Sequence, residues 1–207
     1  MSAVDQRRRR VARRAPGGLD PHSPTFHLFA DVLFVGLMVA GLSLAVVTWF
    51  AALSAGVEAL REARGSDRHV TARSVLSAFG DRVLKHPVSH VLLPTAVTAL
   101  LLVDIVLLPY ALPGELWASW LPVVLAAGLG AVALRVAGAW RRAATPRASL
   151  ALAWRRMSTD AAGSALLMFA VVCAGAIVTI APMLALVIPG PLVLAALAMD
   201  RDLEALP

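Results

Sequence analysis

Residues 26–60 read FHLFADVLFVGLMVAGLSLAVVTWFAALSAGVEAL, and how often this run crosses a bilayer decides the fold. As one helix its roughly 35 residues would measure about 52 Å at 1.5 Å per residue, against a hydrocarbon core of about 30 Å. As a hairpin turning within 43–49, it fits. Charge separates the two. All nineteen Lys and Arg residues fall in four zones: 7–14, 61–85, 135–156 and Arg201. A single crossing would put the 61–85 zone opposite the 7–14 zone, against the bias of basic residues toward the cytoplasmic side. A hairpin keeps both inside. Its second arm, near 46–60, is short, so a tilted, bilayer-thinning or re-entrant arm also fits.

Two further runs repeat the pattern. Residues 88–134 are interrupted by Pro109, Pro113 and Gly114, with Glu115 the only charge at that break. Residues 163–199 are interrupted around 182–191 by prolines and no charge. Each run is too long for one crossing and suited to two. The sequence therefore predicts an all-α polytopic membrane bundle, with about six transmembrane helices in three hairpins and both termini in the cytoplasm. Residues 1–25 read as a disordered Arg-rich cytoplasmic tail. Residues 26–200 form a single transmembrane domain, and 201–207 a short cytoplasmic tail.

Composition agrees. Hydrophobic residues make up 59% of the chain and charged residues 15%, against about 45–50% and 25% in soluble domains. The runs lack the alternation of strands, and only helices or closed barrels satisfy their backbone in lipid. The net charge of +6 sits beside apolar runs, which points to lipid rather than nucleic acid. Cys173 is the sole cysteine and lies in an apolar run, which excludes a disulfide framework and a Cys-cluster zinc site. Of the nineteen basic residues eighteen are Arg, a usage that suggests a high-GC bacterial genome and an inner-membrane location.

The inside connections carry amphipathic patterns. Over 69–86, Ala72, Leu76, Phe79 and Val83 share one helical face; over 146–157, Leu150, Trp154 and Met157 do. Both read as helices at the inner surface, the second capped by Thr145 before Pro146. Trp49, Tyr110, Trp117 and Trp120 fall at predicted outer turns, and Trp140 and Trp154 at inner ends, as interfacial aromatics should.

Few residues carry chemistry. Asp31 lies five residues beyond Phe26 and Arg135 five before Trp140, each about 8 Å below the inner interface. Either the two pair, or Arg135 snorkels while Asp31 caps or hydrates the first helix. Asp104, near the outer end of the third span, needs water, a hydrogen bond or a proton. Thr48 and Thr179, with Thr95, Thr98 and Ser164, are helix-to-helix hydrogen-bonding candidates. Ala52 with Gly56, and Ala126 with Gly130, are small pairs that admit close packing. His86 and His90 have metal-ligand spacing, but Pro87 intervenes and no third ligand is evident. Nucleotide, metallohydrolase and serine-hydrolase motifs are absent. No cofactor and no enzymatic activity are expected.

The first hairpin resembles the YesL-like family of small bacterial membrane proteins, whose molecular function is uncharacterised. Asp31 heads DVLFVGLMVAGLSLAVVTWFAALSAG, with Val46, Val47 and Thr48 in the turn. RSVLSAFGDRVLKHP matches the basic amphipathic helix that follows, and Asp104 in LLLVDIVLLPY an Asp near the end of the next helix. This chain has Ala45 where the family favours Pro, and Trp49 and Phe50 where Gly is usual. The resemblance spans most of 26–200. It implies an accessory role in carbohydrate transport, because such genes often neighbour sugar-uptake genes, and it assigns no catalytic or binding residues. The functional expectation is an accessory or partner-binding subunit that docks a membrane transporter. The alternative is a small-solute transporter or channel, with Asp31, Arg135, Asp104, Thr48 and Thr179 lining its path.

Overall fold

The computed structural model describes residues 23–66, 68–111, 116–140 and 145–204. These are helical, with no strand among them. Eight α-helices follow in order: α1 (Pro24–Ser43), α2 (Trp49–Ser66), α3 (Ala72–Lys85), α4 (Leu93–Ala111), α5 (Leu116–Ala139), α6 (Pro146–Thr159), α7 (Ala161–Ile180) and α8 (Pro189–Glu204). A π-helical turn, Val88–Leu92, leads into α4, and a 3₁₀ turn, Pro182–Leu186, joins α7 to α8. The Arg-rich 7–14 tract and the second expected turn, at 112–115, lie outside the described residues, as do the side chains of Tyr110, Trp117 and Arg201.

Among the described residues four segments are long and apolar enough to cross a membrane: Thr25–Ser43, Val88–Leu107, Trp120–Ala139 and Ala161–Ile180. The remaining two expected spans are shorter. The apolar part of α8 is Pro189–Met199, and that of α2 is confined to its first two-thirds. Yet these two helices form the centre. Along α2 buried side chains run almost without break from Phe50 to Leu60 and on to Ala63, against α1, α3, α5 and α8. With Val193, Ala196 and Leu197 of α8 they make the core. Small residues explain the closeness. A Cβ on Gly56 would lie 2.6 Å from a Val39 methyl, and Gly36 of α1 meets the Gly190 backbone nitrogen of α8 at 2.8 Å on the same measure.

Local chemistry sets the helix ends. Ser23 caps α1 through Phe26 N–H, with Pro24 opening the helix. Thr71 and Ser74 form a reciprocal capping box on α3, and Thr145 caps α6 before Pro146 as expected. The π-helical turn has a cause in Pro94. It has no N–H to offer the His90 carbonyl and its ring crowds that carbonyl, so the preceding turn widens, and Leu93 N–H reaches Val88 O.

The two surface helices each turn one face to the bundle. On α3 the protein-facing stripe is Val75, Ala78 and Arg82, while Leu76 is exposed. On α6 it is Ser149 and Ala153, while Leu150 and Trp154 are exposed, Trp154 by 71%. Leu76, Leu150 and Trp154 are left for lipid, while Phe79 packs partly buried against the core. Trp140, just past the last residue of α5, is buried at 4% exposure.

Candidate functional site: buried ion pairs and a lateral groove

Basic side chains converge on one end of the bundle and tie helices together. Arg61, on the last turns of α2, reaches across to the C-terminus of α5 and donates to the carbonyls of Gly138 and Trp140. Those carbonyls have no partner within their own helix, so the cation fills a need the backbone creates. Arg82 on α3 pairs with Glu58 on α2 and donates to Ala78 O at 2.9 Å.

Arg135 does not meet Asp31. Its Nη2 pairs with the Asp160 carboxylate and approaches Ser164 Oγ at 3.3 Å. Asp160 also caps α7 by accepting from Gly163 N–H at 2.8 Å. A Cβ at Gly163 would lie 2.6 Å from Arg135 Nη2 and closer still to Asp160 Oδ2, so a larger residue there would push the pair aside. The Arg135 guanidinium beside Asp160, with the Gly163 N–H, holds that carboxyl below its ordinary value. Asp31 has other partners: Oδ1 accepts from Val70 N–H at 3.3 Å and lies 3.6 Å from His69 Nδ1. It anchors the α2–α3 connection to α1.

The remaining candidates are not brought together. Thr48 Oγ1 donates to Leu42 O at 2.6 Å inside the first turn, where Val46 takes a left-handed φ of 49°. Thr179 Oγ1 donates to Ala176 O of its own helix at 2.7 Å. Asp104 is exposed on α4. Thr95 and Thr98 do join helices: Thr95 Oγ1 donates to Val47 O at 3.1 Å, and Thr98 Oγ1 accepts from the Trp49 indole at 3.1 Å. His86 and His90 have ring centroids 6.1 Å apart. They meet Trp140 edge to face at 5.5 and 4.2 Å, and His90 also meets Phe50 at a tilt. Among the described residues no group of three metal donors exists, and these imidazoles serve packing.

Sequence reasoning missed Glu58, Arg61 and Asp160 as partners. Signals existed. Glu58 is the one acid besides Asp31 in the first apolar run, and Arg82 continues the Val75–Ala78 stripe at helical spacing.

Beside these joints lies a cavity of about 610 Å³, walled by α4 and α5, floored by Trp49 and Phe50, and closed at the basic end by α6. No family model, no curated protein and no solved structure matches this chain.

Proposed function

We propose that this chain is an integral membrane accessory subunit that binds a second membrane protein through the far half of the α4–α5 hairpin. One observation carries the reading. In the Val88–Leu107 segment only 6% of the apolar window is buried, and every residue from Leu102 to Leu107 is exposed, Asp104 among them. A carboxylate on a lipid-facing helix is costly, and a donor from a neighbouring helix relieves that cost. Trp120, at 68% exposure, continues the surface on α5. The transport alternative needs a continuous polar path. Asp31, Arg135, Thr48 and Thr179 each have local partners instead.

The topology proposed with it is three hairpins in a bacterial inner membrane, the basic end and both termini cytoplasmic. The first hairpin is shallow. Its turn is bonded at Thr95 and Thr98, and α4 runs on for 13 residues beyond Thr98 to Ala111, about 20 Å. The link to carbohydrate uptake rests on the YesL-like resemblance, which makes a sugar transporter the partner to test first. The full chain, solubilised in mild detergent, is expected to co-purify with an integral membrane protein. A photocrosslinker at Val103 should capture it, and Asp104→Ala should lower recovery roughly tenfold, the scale of one charge-assisted hydrogen bond. Solute flux through proteoliposomes containing this chain alone would overturn the reading.

A further inference from the structure

We propose that the groove between α4 and α5 binds one phospholipid from the leaflet at the basic end. Its acyl chain lies along the groove and its anionic headgroup meets Arg147. This site is separate from the far half of α4, and its argument does not depend on a protein partner.

Length is the first support. From Val88 in the π-helical turn to Leu101 of α4 the lining spans thirteen residue steps, about 19 Å of helix. One leaflet is half of a hydrocarbon core of about 30 Å, so the groove matches the reach of one acyl chain. Size is the second. A cavity of about 610 Å³ falls within the roughly 300–1,000 Å³ of sites that hold a single small molecule.

Chemistry is graded along the groove. Val97, Leu101, Leu129 and Ala133 offer no hydrogen bond. The Thr98 hydroxyl is already committed to Pro94 O and the Trp49 indole. A hydrated solute would lose its water here without compensation. Polar side chains of the lining otherwise collect at the basic end, where Ser89, Trp140 and Arg147 lie. Arg147 is exposed in the first turn of α6, at the positive end of the helix dipole. Leu150 also lines the groove and, with Trp154, turns outward, which sets α6 at the depth of the lipid headgroups. An amphiphile with a negative head and an apolar tail satisfies both ends of the groove at once.

The full chain, passed through nanodiscs of equal phosphatidylglycerol and phosphatidylcholine and released into mild detergent, is read by native mass spectrometry. One phospholipid retained per chain is expected, with phosphatidylglycerol favoured roughly tenfold. Val97→Trp and Ala133→Trp, from opposite walls, should abolish retention while the melting temperature stays within a few degrees. Arg147→Gln, at an exposed position, should keep a phospholipid bound and lose the headgroup preference. The proposal is overturned if the unmodified chain retains no lipid, if a folded tryptophan variant retains it unchanged, if Arg147→Gln keeps the preference, or if a polypeptide is found in its place.

Discussion

Arg135 is buried on α5, and the one carboxylate its guanidinium meets among the described residues is that of Asp160. Removing the acid strands a buried cation, which costs about 3–5 kcal/mol in a fully enclosed pair. Asp160 is 24% exposed, so Asp160→Asn should cost less, roughly 2–3 kcal/mol, read as a lower melting temperature in detergent. The pH dependence has a definite sign. The folded state depresses the Asp160 pKa, so its stabilisation is complete above the unfolded value of about 4. It is lost as pH falls below that, through the lowered folded value. Asp160→Asn should flatten this acid limb, and an unchanged slope would remove Arg135 as its cause. Glu58 and Arg82 invite a different comparison. Glu58→Gln alone should destabilise more than Glu58→Gln with Arg82→Met, because the double change leaves no buried charge behind. The expected Asp31–Arg135 pair failed for a geometric reason. Sequence places a charge by depth along the membrane normal and says nothing of its angle around the bundle. Asp31 and Arg135 were matched in depth, but Asp31 faces the α2–α3 connection and Arg135 faces α7.

At the scale of elements, α5 contains a controlled comparison in Gly128 and Gly130. A Cβ on Gly130 would sit 2.8 Å from a Val171 methyl of α7, while one on Gly128 meets nothing within 4 Å. Gly130→Ala should therefore destabilise by about 1–3 kcal/mol through overpacking. Gly128→Ala should stabilise by roughly 0.5–1 kcal/mol through helix propensity. Equal melting temperatures for the two variants would show that α5 and α7 do not touch where the structure puts them. The small pairs Ala52–Gly56 and Ala126–Gly130 were legible in the sequence because close helix packing demands a missing side chain at a fixed spacing. Gly36 against Gly190 was not, since the two are far apart in the chain and only the fold makes them adjacent. Which face of α3 and α6 meets the protein was not legible for a related reason. Periodicity finds the apolar stripe, but beside a membrane both sides of such a helix have an apolar neighbour. Val75 with Ala78, and Ser149 with Ala153, go to the protein because small side chains let helices approach. Leu76, Leu150 and Trp154 go outward because lipid accepts bulk.

The whole molecule was legible as an all-helical chain suited to a membrane, because length and apolarity constrain it: among the described residues four helices are long and apolar enough to cross a bilayer. The depth of each hairpin was not legible. Apolarity reports that a residue avoids water, and α2 avoids it by burial in protein as well as any helix does in lipid. The first turn shows the consequence. Leu44, Val46 and Val47 are exposed and apolar, and the turn closes its own hydrogen bonds through Thr48 and Thr95. Such a turn suits the shallow first hairpin proposed above, whose tip would meet hydrocarbon. The connection from α7 to α8 has the same character, with Ile180 and Met183 exposed and its carbonyls taken up by successive turns. Cys173 is the sole cysteine, so a Cys173→Ser background permits single-cysteine labelling in sealed vesicles. Gly114→Cys should react with an impermeant maleimide from outside only, and Ser2→Cys from inside only. Leu44→Cys and Met183→Cys should resist the impermeant reagent from both sides and react with a membrane-permeant one. Labelling of Leu44→Cys from outside at the rate of Gly114→Cys would mean that the first hairpin crosses fully. The bonds from Thr95 and Thr98 would then have to form on an α4 lying strongly tilted, with its far half near the membrane plane.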